Sequence, residues 1–291
     1  MATRFREFRA IRAEIIGKPR KVPEAHRGIR TVKGKILETA VNKFQHPDGR
    51  TVTVVGIEHV GTRQYFEQMR EVVDWLEKDG AEIRLEMAAS ARDPKPRNES
   101  ETEAVETLRG HVGTRFSHYA TMGMDWVNQN DSAMAPEPNW VFSDVPPLDI
   151  ARLWGPETLL RQGSFANPVS VGPQLANMKS KGKTIRLRNY RWGSARLLAR
   201  RGRQVKKDRL HASYLNKAVM YAYRECEEML KVLVRDGDTA LVWGAPHMQG
   251  FAEILVSNGF KLVRTKWYEV LRTPRWSDPL TLRPAMTLTR S

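Results

Sequence analysis

Two histidines follow a glycine at the same spacing, Gly56-x-x-His59 and Gly244-x-x-His247. One carboxylate, Glu86, stands near the end of the apolar stretch that comes after the first pair, and Glu58 directly precedes His59. Two imidazoles and a carboxylate are a common ligand set for a divalent ion with open positions for water. Such an ion lowers the pKa of its bound water and polarises a carbonyl, with Glu58 as a candidate general base. The same residues also suit metal-free acid–base chemistry. His59 would take a proton from water or a substrate hydroxyl, Glu86 would hold its other nitrogen, and His247 would steady an oxyanion. Taken singly, each histidine also fits a plain role, capping a loop or packing.

For these groups to meet, the chain must bring several segment ends together. Val52–Val55 is a short β-branched run suited to a buried strand, and Gly56 breaks it. Tyr65, Phe66, Met69, Val72, Val73 and Leu76 then recur at helix spacing, and Gly80 sits where a helix C-terminus takes a left-handed residue. Ile83, Leu85 and Met87 alternate with Arg84 and Glu86, a second strand. The arrangement returns near the other end. Thr239–Trp243 is a strand, Gly244–His247 follows, Phe251, Ile254 and Leu255 mark a helix that stops at Gly259, and Phe260–Leu271 is another strand. In a parallel βαβ unit, ligands gather at the carboxyl ends of the strands, where His59, Glu86 and His247 all fall. The expected fold is α/β, a mixed sheet flanked by helices and built from two related strand–GxxH–helix halves, with the strands before Gly56 and Gly244 in one sheet.

Paired GxxH motifs that each close a strand, with a glutamate ending the next strand, resemble the TraB/TIKI superfamily. Erythromycin-esterase-like and ChaN-like proteins are its more distant relatives. The likeness runs from about Val52 to Val270, with a poorly matched middle. It implies a two-halved α/β fold with a cleft, and hydrolysis of a peptide or ester bond. A divalent ion (Mn²⁺, Co²⁺ or Zn²⁺) would assist it, and haem binding in the ChaN-like branch is the lesser alternative. Trp140 and Asp144 resemble a W-x-x-x-D stretch of the superfamily. Asp144 would orient a histidine or bind a second metal, or else cap a helix that starts near Leu148. Asp208-Arg209 resembles an Arg-Asp pair that relatives place on the helix before the second GxxH, which makes Arg209 a candidate oxyanion or carboxylate clamp. One departure stands out: many relatives carry glutamate directly after the first glycine, where this chain has Ile57 and then Glu58.

Composition sets the remaining bounds. The chain has 291 residues, 41% of them hydrophobic, with a formal net charge of +15. The charge favours acidic partners and says nothing of fold. Cys226 is the only cysteine, so no internal disulfide forms and a reducing compartment fits. No apolar run is long enough to cross a bilayer, and Met1–Lys21 lacks a signal-like apolar core, so a cytoplasmic protein is expected. The chain divides into a basic N-terminal arm or packed helix over 1–45, the α/β domain over 46–272 and a tail over 273–291. Phe5, Phe8, Ile11, Ile15 and Ile16 give the first segment a helix-like stripe. Ser90–Glu103 reads as a polar loop able to cover a site after Glu86, and Thr102–Met124, with His111 and His118, reads as helix. Lys179–Arg209 is strongly basic and interleaves Tyr190 and Trp192 with its cations. That suits weak polyanion or nucleic-acid contact, or simply a solvated helix face. A long helix is expected over 206–234. The function expected from these features is hydrolysis of an ester or amide bond in a small molecule or peptide. The alternatives are a non-catalytic metal-, haem- or ligand-binding protein, or a nucleic-acid-binding protein that uses Lys179–Arg209.

Overall fold

The computed structural model of the chain describes residues 26, 28–33, 35–86, 95–106, 126–129, 132–156 and 215–273. A seven-stranded mixed sheet runs through the middle. Its parallel part contains β3 (Thr51–Ile57), β5 (Glu82–Glu86), β7 (Val141–Ser143) and β8 (Thr239–Gly244), in the spatial order β3-β8-β5-β7. Its antiparallel part contains β1 (Ile29–Val32), β2 (Ile36–Gln45) and the long β9 (Lys261–Arg272). The strands carrying Gly56 and Gly244 are thus direct neighbours, with Gly56 level with Trp243 and Ile57 with Gly244.

Alternation along the strands explains the layers. Val55 and Ile57 of β3, Ala240 and Val242 of β8, and Ile83 and Leu85 of β5 share one core with Tyr65, Phe66, Met69, Val73 and Leu76 of α1 (Arg63–Lys78). Val52, Val54, Leu241 and Trp243 point the other way. They pack with Cys226, Met229 and Val232 of α3 (Leu215–Leu233) and with Met248, Phe251, Ile254 and Leu255 of α4 (Met248–Ser257). A period of two on the strands therefore feeds two helix layers. Between β7 and α3 in the chain lies α2 (Pro147–Trp154). Arg50, just before β3, donates to the carbonyls of Leu233 and Arg235 and closes the C-terminal end of α3 over the sheet.

β5 is the exception that matters for function. Its second face carries Glu82, Arg84 and Glu86 toward α3, and α3 answers with Arg224 and Glu228. Arg84 bonds Glu228 and Glu82, Arg235 bonds Glu82 at 2.8 Å, and Arg224 bonds Glu86. The spacing matches because two strand residues rise about 6.6 Å and four helix residues about 6 Å. Opposite charges therefore meet in register along an antiparallel strand–helix pair.

Two sequence expectations change. Residues 29–45 are not an arm but the strands β1 and β2, whose alternation Leu37, Thr39, Val41 against Ala40, Asn42 and Phe44 was obscured by the basic residues around it. The helix after the Ser90–Glu103 stretch begins earlier than expected: residues 99–106 are helical, and Asn98 accepts the Glu101 N–H at 2.9 Å. The segments 1–25, 157–214 and 274–291 lie outside the described residues, and with them Arg209, the Lys179–Arg209 run and the tail. His111 and His118 also lie outside. No described helix is long and apolar enough to cross a membrane.

The charge ladder makes a stability prediction. Side chains of Arg84 and Glu228 are 8% and 1% exposed, so Glu228→Leu removes the more buried of the two carboxylates that meet a buried guanidinium. It is expected to lower the unfolding free energy by about 3 kcal/mol in urea denaturation, and Arg84→Met with Glu228→Leu to restore most of it. A loss in the double variant equal to the sum of the two single losses would show that the pair is not coupled.

Candidate functional site

The carboxyl ends of β3, β8, β5 and β7 form one edge, and each contributes a group there. His59 follows β3, Glu86 ends β5, Asp144 follows β7, and His247 closes the 3-10 turn Ala245–His247 that follows β8. Arg224 descends onto them from α3. Its Nε donates to Asp144 Oδ1 at 2.7 Å, one terminal nitrogen to Asp144 Oδ2 and to Glu86 Oε1, and the other to His247 Nε2 at 3.1 Å. Four of its five N–H groups are thus engaged among the described residues. Its guanidinium also lies 5.3 Å from the ring centre of Trp243.

Donor and acceptor logic fixes the His247 tautomer. A guanidinium only donates, so Nε2 accepts and the proton sits on Nδ1. Nδ1 then donates to Glu225 Oε1 at 3.1 Å. Tyr221 packs against the same imidazole at 4.6 Å between ring centres and Trp243 at 5.3 Å. His247 is 2% exposed and held on every side. Two glycines allow this closeness. A Cβ on Gly250 of α4 would fall 1.6 Å from a Glu225 carboxylate oxygen, and one on Gly244 would fall 2.9 Å from Glu86. The Gly244 N–H donates to that Glu86 oxygen, which explains why the second GxxH begins with glycine.

His59 is set differently. The short strands β4 (Val60–Thr62) and β6 (Trp126–Asn128) pair antiparallel and bring Gln129 beside it. Gln129 donates its N–H to the His59 carbonyl at 2.9 Å, and its side-chain Oε1 lies 2.9 Å from His59 Nδ1. With a carbonyl as acceptor, Nδ1 carries the proton and Nε2 the lone pair. The ring is half-buried.

The expected site residues divide as follows. Glu86 and His247 come together, 3.6 Å apart, and Asp144 joins them through Arg224. His59 lies close enough for its charge to act on Glu86. Its other nitrogen is held by Gln129, whereas the metal-free scheme assigned that role to Glu86. Asp144 does not cap α2: Pro146 holds the cap position and makes no side-chain cap bond. Glu58 is 3% exposed and buried against Tyr65 of α1, whose hydroxyl receives the Glu58 N–H at 3.2 Å. Arg209 lies outside the described residues, and the arginine that clamps the carboxylates is Arg224. Sequence reading missed Arg224, Glu225, Tyr221 and Gln129. The available signal was charge at Arg224, Glu225 and Glu228 inside the inward stripe of a helix.

The expected metal can be tested against the donors. Glu86 offers its oxygens to Arg224 and Gly244, Asp144 to Arg224 and the Val145 N–H, and His247 its nitrogens to Arg224 and Glu225. A divalent ion on this set would have to displace a guanidinium from three partners, so the set does not fit a metal while Arg224 is in place. Compared with models of protein families, with curated proteins and with solved structures, the chain matches none. The resemblance to the TraB/TIKI superfamily rests on the motifs.

Burial raises the Glu86 carboxyl, but the Arg224 charge, the His247 and His59 rings once protonated and the Gly244 N–H outweigh it and hold the group well below the usual glutamate range. Burial pushes Asp144 the other way, above the usual aspartate range despite Arg224. Because its folded-state pKa is depressed, Glu86 contributes stability that is present above the ordinary glutamate pKa and lost as pH falls below it. The stability difference between wild type and Glu86→Gln, read by urea denaturation, is expected to be largest near pH 7 and to shrink toward pH 3. A difference that stays constant over that range would refute the assignment.

Proposed function

We propose that the chain hydrolyses an ester or amide bond, with His59 as general base and Arg224 as the fixed positive charge at the reacting carbonyl. One observation carries the reading: a half-buried imidazole with its lone pair on Nε2 shares a sheet edge with a guanidinium that keeps one N–H beyond its four described bonds. His59 Nε2 takes a proton from water as the water oxygen adds to the carbonyl carbon. The carbonyl oxygen gains the negative charge and is met by Arg224. His59 then returns the proton to the departing alkoxide or amine as the C–O or C–N bond breaks. Glu86 steadies the imidazolium through its nearby charge, and Gln129 keeps the ring in the productive tautomer. His247 and Asp144 are positioning residues that hold Arg224. Glu58 and Arg209 have no part in this scheme, and no step is routed through a metal.

The test is turnover on a panel of p-nitrophenyl esters and fluorogenic peptides. His59→Ala is expected to lower kcat by about 10²–10⁴-fold with unchanged thermal melting, because general-base catalysis contributes on that order. Chelator treatment is expected to leave wild-type turnover unchanged. Chelator-sensitive activity restored by Mn²⁺, Co²⁺ or Zn²⁺ would return the site to the metal-assisted scheme. Equal inactivity of both proteins, with retained ligand binding, would make it a binding site.

A further inference from the structure

α1 packs on the inner residues of the β2–β9 arm, Leu37, Tyr268 and Val270, and beside that contact a groove of about 750 Å³ runs between α1 and the outer part of β2 and β9. Its floor is cationic. Lys43 of β2 is paired across from Arg264 of β9, and Lys266 follows on the same face of β9. Lys266 lies 4.7 Å from the ring centre of Tyr268, and Arg264 and Lys266 are exposed. Trp75 of α1 forms the wall and is 55% exposed, an unusual exposure for an indole on an otherwise packed helix. Three acids also line the groove. Glu38 is bonded by Arg30, and Glu269 by Arg272 at 2.7 Å, which leaves Glu71. Among the described residues the three floor cations have no carboxylate partner, so the groove keeps a positive excess.

We propose that this groove binds single-stranded nucleic acid, with phosphates on Lys43, Arg264 and Lys266 and a base stacked on Trp75. Each part of the surface matches that chemistry. Cations ranked along a strand track a phosphate backbone, and an exposed indole beside them offers a face to any base. The volume lies in the small-ligand range, room for individual nucleotides of an unpaired strand. The chain's net charge of +15 favours fast association with such a polyanion. An acidic protein segment would use the cations but leave the indole face without a planar partner. The site is independent of the hydrolytic edge, which lies at the strand ends beneath α3.

Fluorescence anisotropy of the full chain with a labelled single-stranded oligonucleotide, over a salt series, tests this. Lys43→Gln with Arg264→Gln and Lys266→Gln is expected to make the slope of log K against log salt shallower by about 2, since each single-strand phosphate contact gives about 0.7. Trp75→Ala is expected to weaken binding about ten-fold and leave that slope unchanged. Duplex DNA, mononucleotides and polyphosphate are expected to compete poorly. If the triple variant binds like wild type, the groove is not the site. If Trp75→Ala has no effect, or polyphosphate competes as well as the oligonucleotide, the surface is a general polyanion contact and the nucleic-acid assignment falls. Should the triple variant fail to melt like wild type, Lys266→Gln on the exposed strand and Trp75→Ala give the same two readouts.

Discussion

The structure turns on one buried cation. Arg224 sits where four parallel strands end, and three groups from three different strands bond to it: Glu86, Asp144 and His247. Taking a carboxylate out of water costs several kcal/mol unless a charge and hydrogen bonds meet it. Glu86 and Asp144 are tolerated at their depth because one planar guanidinium reaches both, and a lysine ammonium would lack that fork. The same cation decides the state of His247, since an imidazole nitrogen facing a guanidinium has to accept. Removing Arg224 would leave two acids and a histidine crowded at the sheet edge without the cation that joins them.

That arrangement imposes conditions on elements far apart in the chain. α3 has to run antiparallel to β5 so that Arg224 faces Glu86 while Glu228 faces Arg84. β8 has to lie between β3 and β5, because only there does the turn after it bring His247 between Glu86 and Glu225. α4 has to present a glycine, since any side chain at position 250 would push Glu225 off His247. The polar interior is thus a matched set. Each charge on the strand has its partner one step along the helix, and apolar packing on both sides of the ladder holds the register.

Much of the frame was readable because it depends on local pattern. The β-branched run before Gly56, the helix spacing of Tyr65 to Leu76, the left-handed glycines Gly80 and Gly259 and the alternation at Ile83–Glu86 each report one neighbourhood, and each stands in the structure. Glu86 and His247 were visible for the same reason: they end strands. Arg224 was not, because an arginine in a basic chain reads as solvated, and only the tertiary placement of α3 turns it inward. The antiparallel arm was hidden by its many lysines and arginines, which disguise period-two burial. Gln129 gave no signal at all, since its role depends on a three-residue strand pairing across a long sequence separation. The two GxxH motifs follow adjacent parallel strands, and the surroundings of their histidines differ: one is clamped by a guanidinium and a carboxylate, the other held by a glutamine.

The claim that Arg224 organises the site is tested most directly by the tautomer of His247. Long-range ¹H–¹⁵N NMR of selectively labelled protein reads which imidazole nitrogen carries the proton. The structure requires the proton on Nδ1 in wild type, where Nε2 accepts from Arg224 and Nδ1 donates to Glu225, and Arg224→Gln combined with Glu225→Ala is expected to release the ring toward the averaged shifts of an unrestrained imidazole. A wild-type His247 protonated on Nε2 could not accept from Arg224 and would contradict the account.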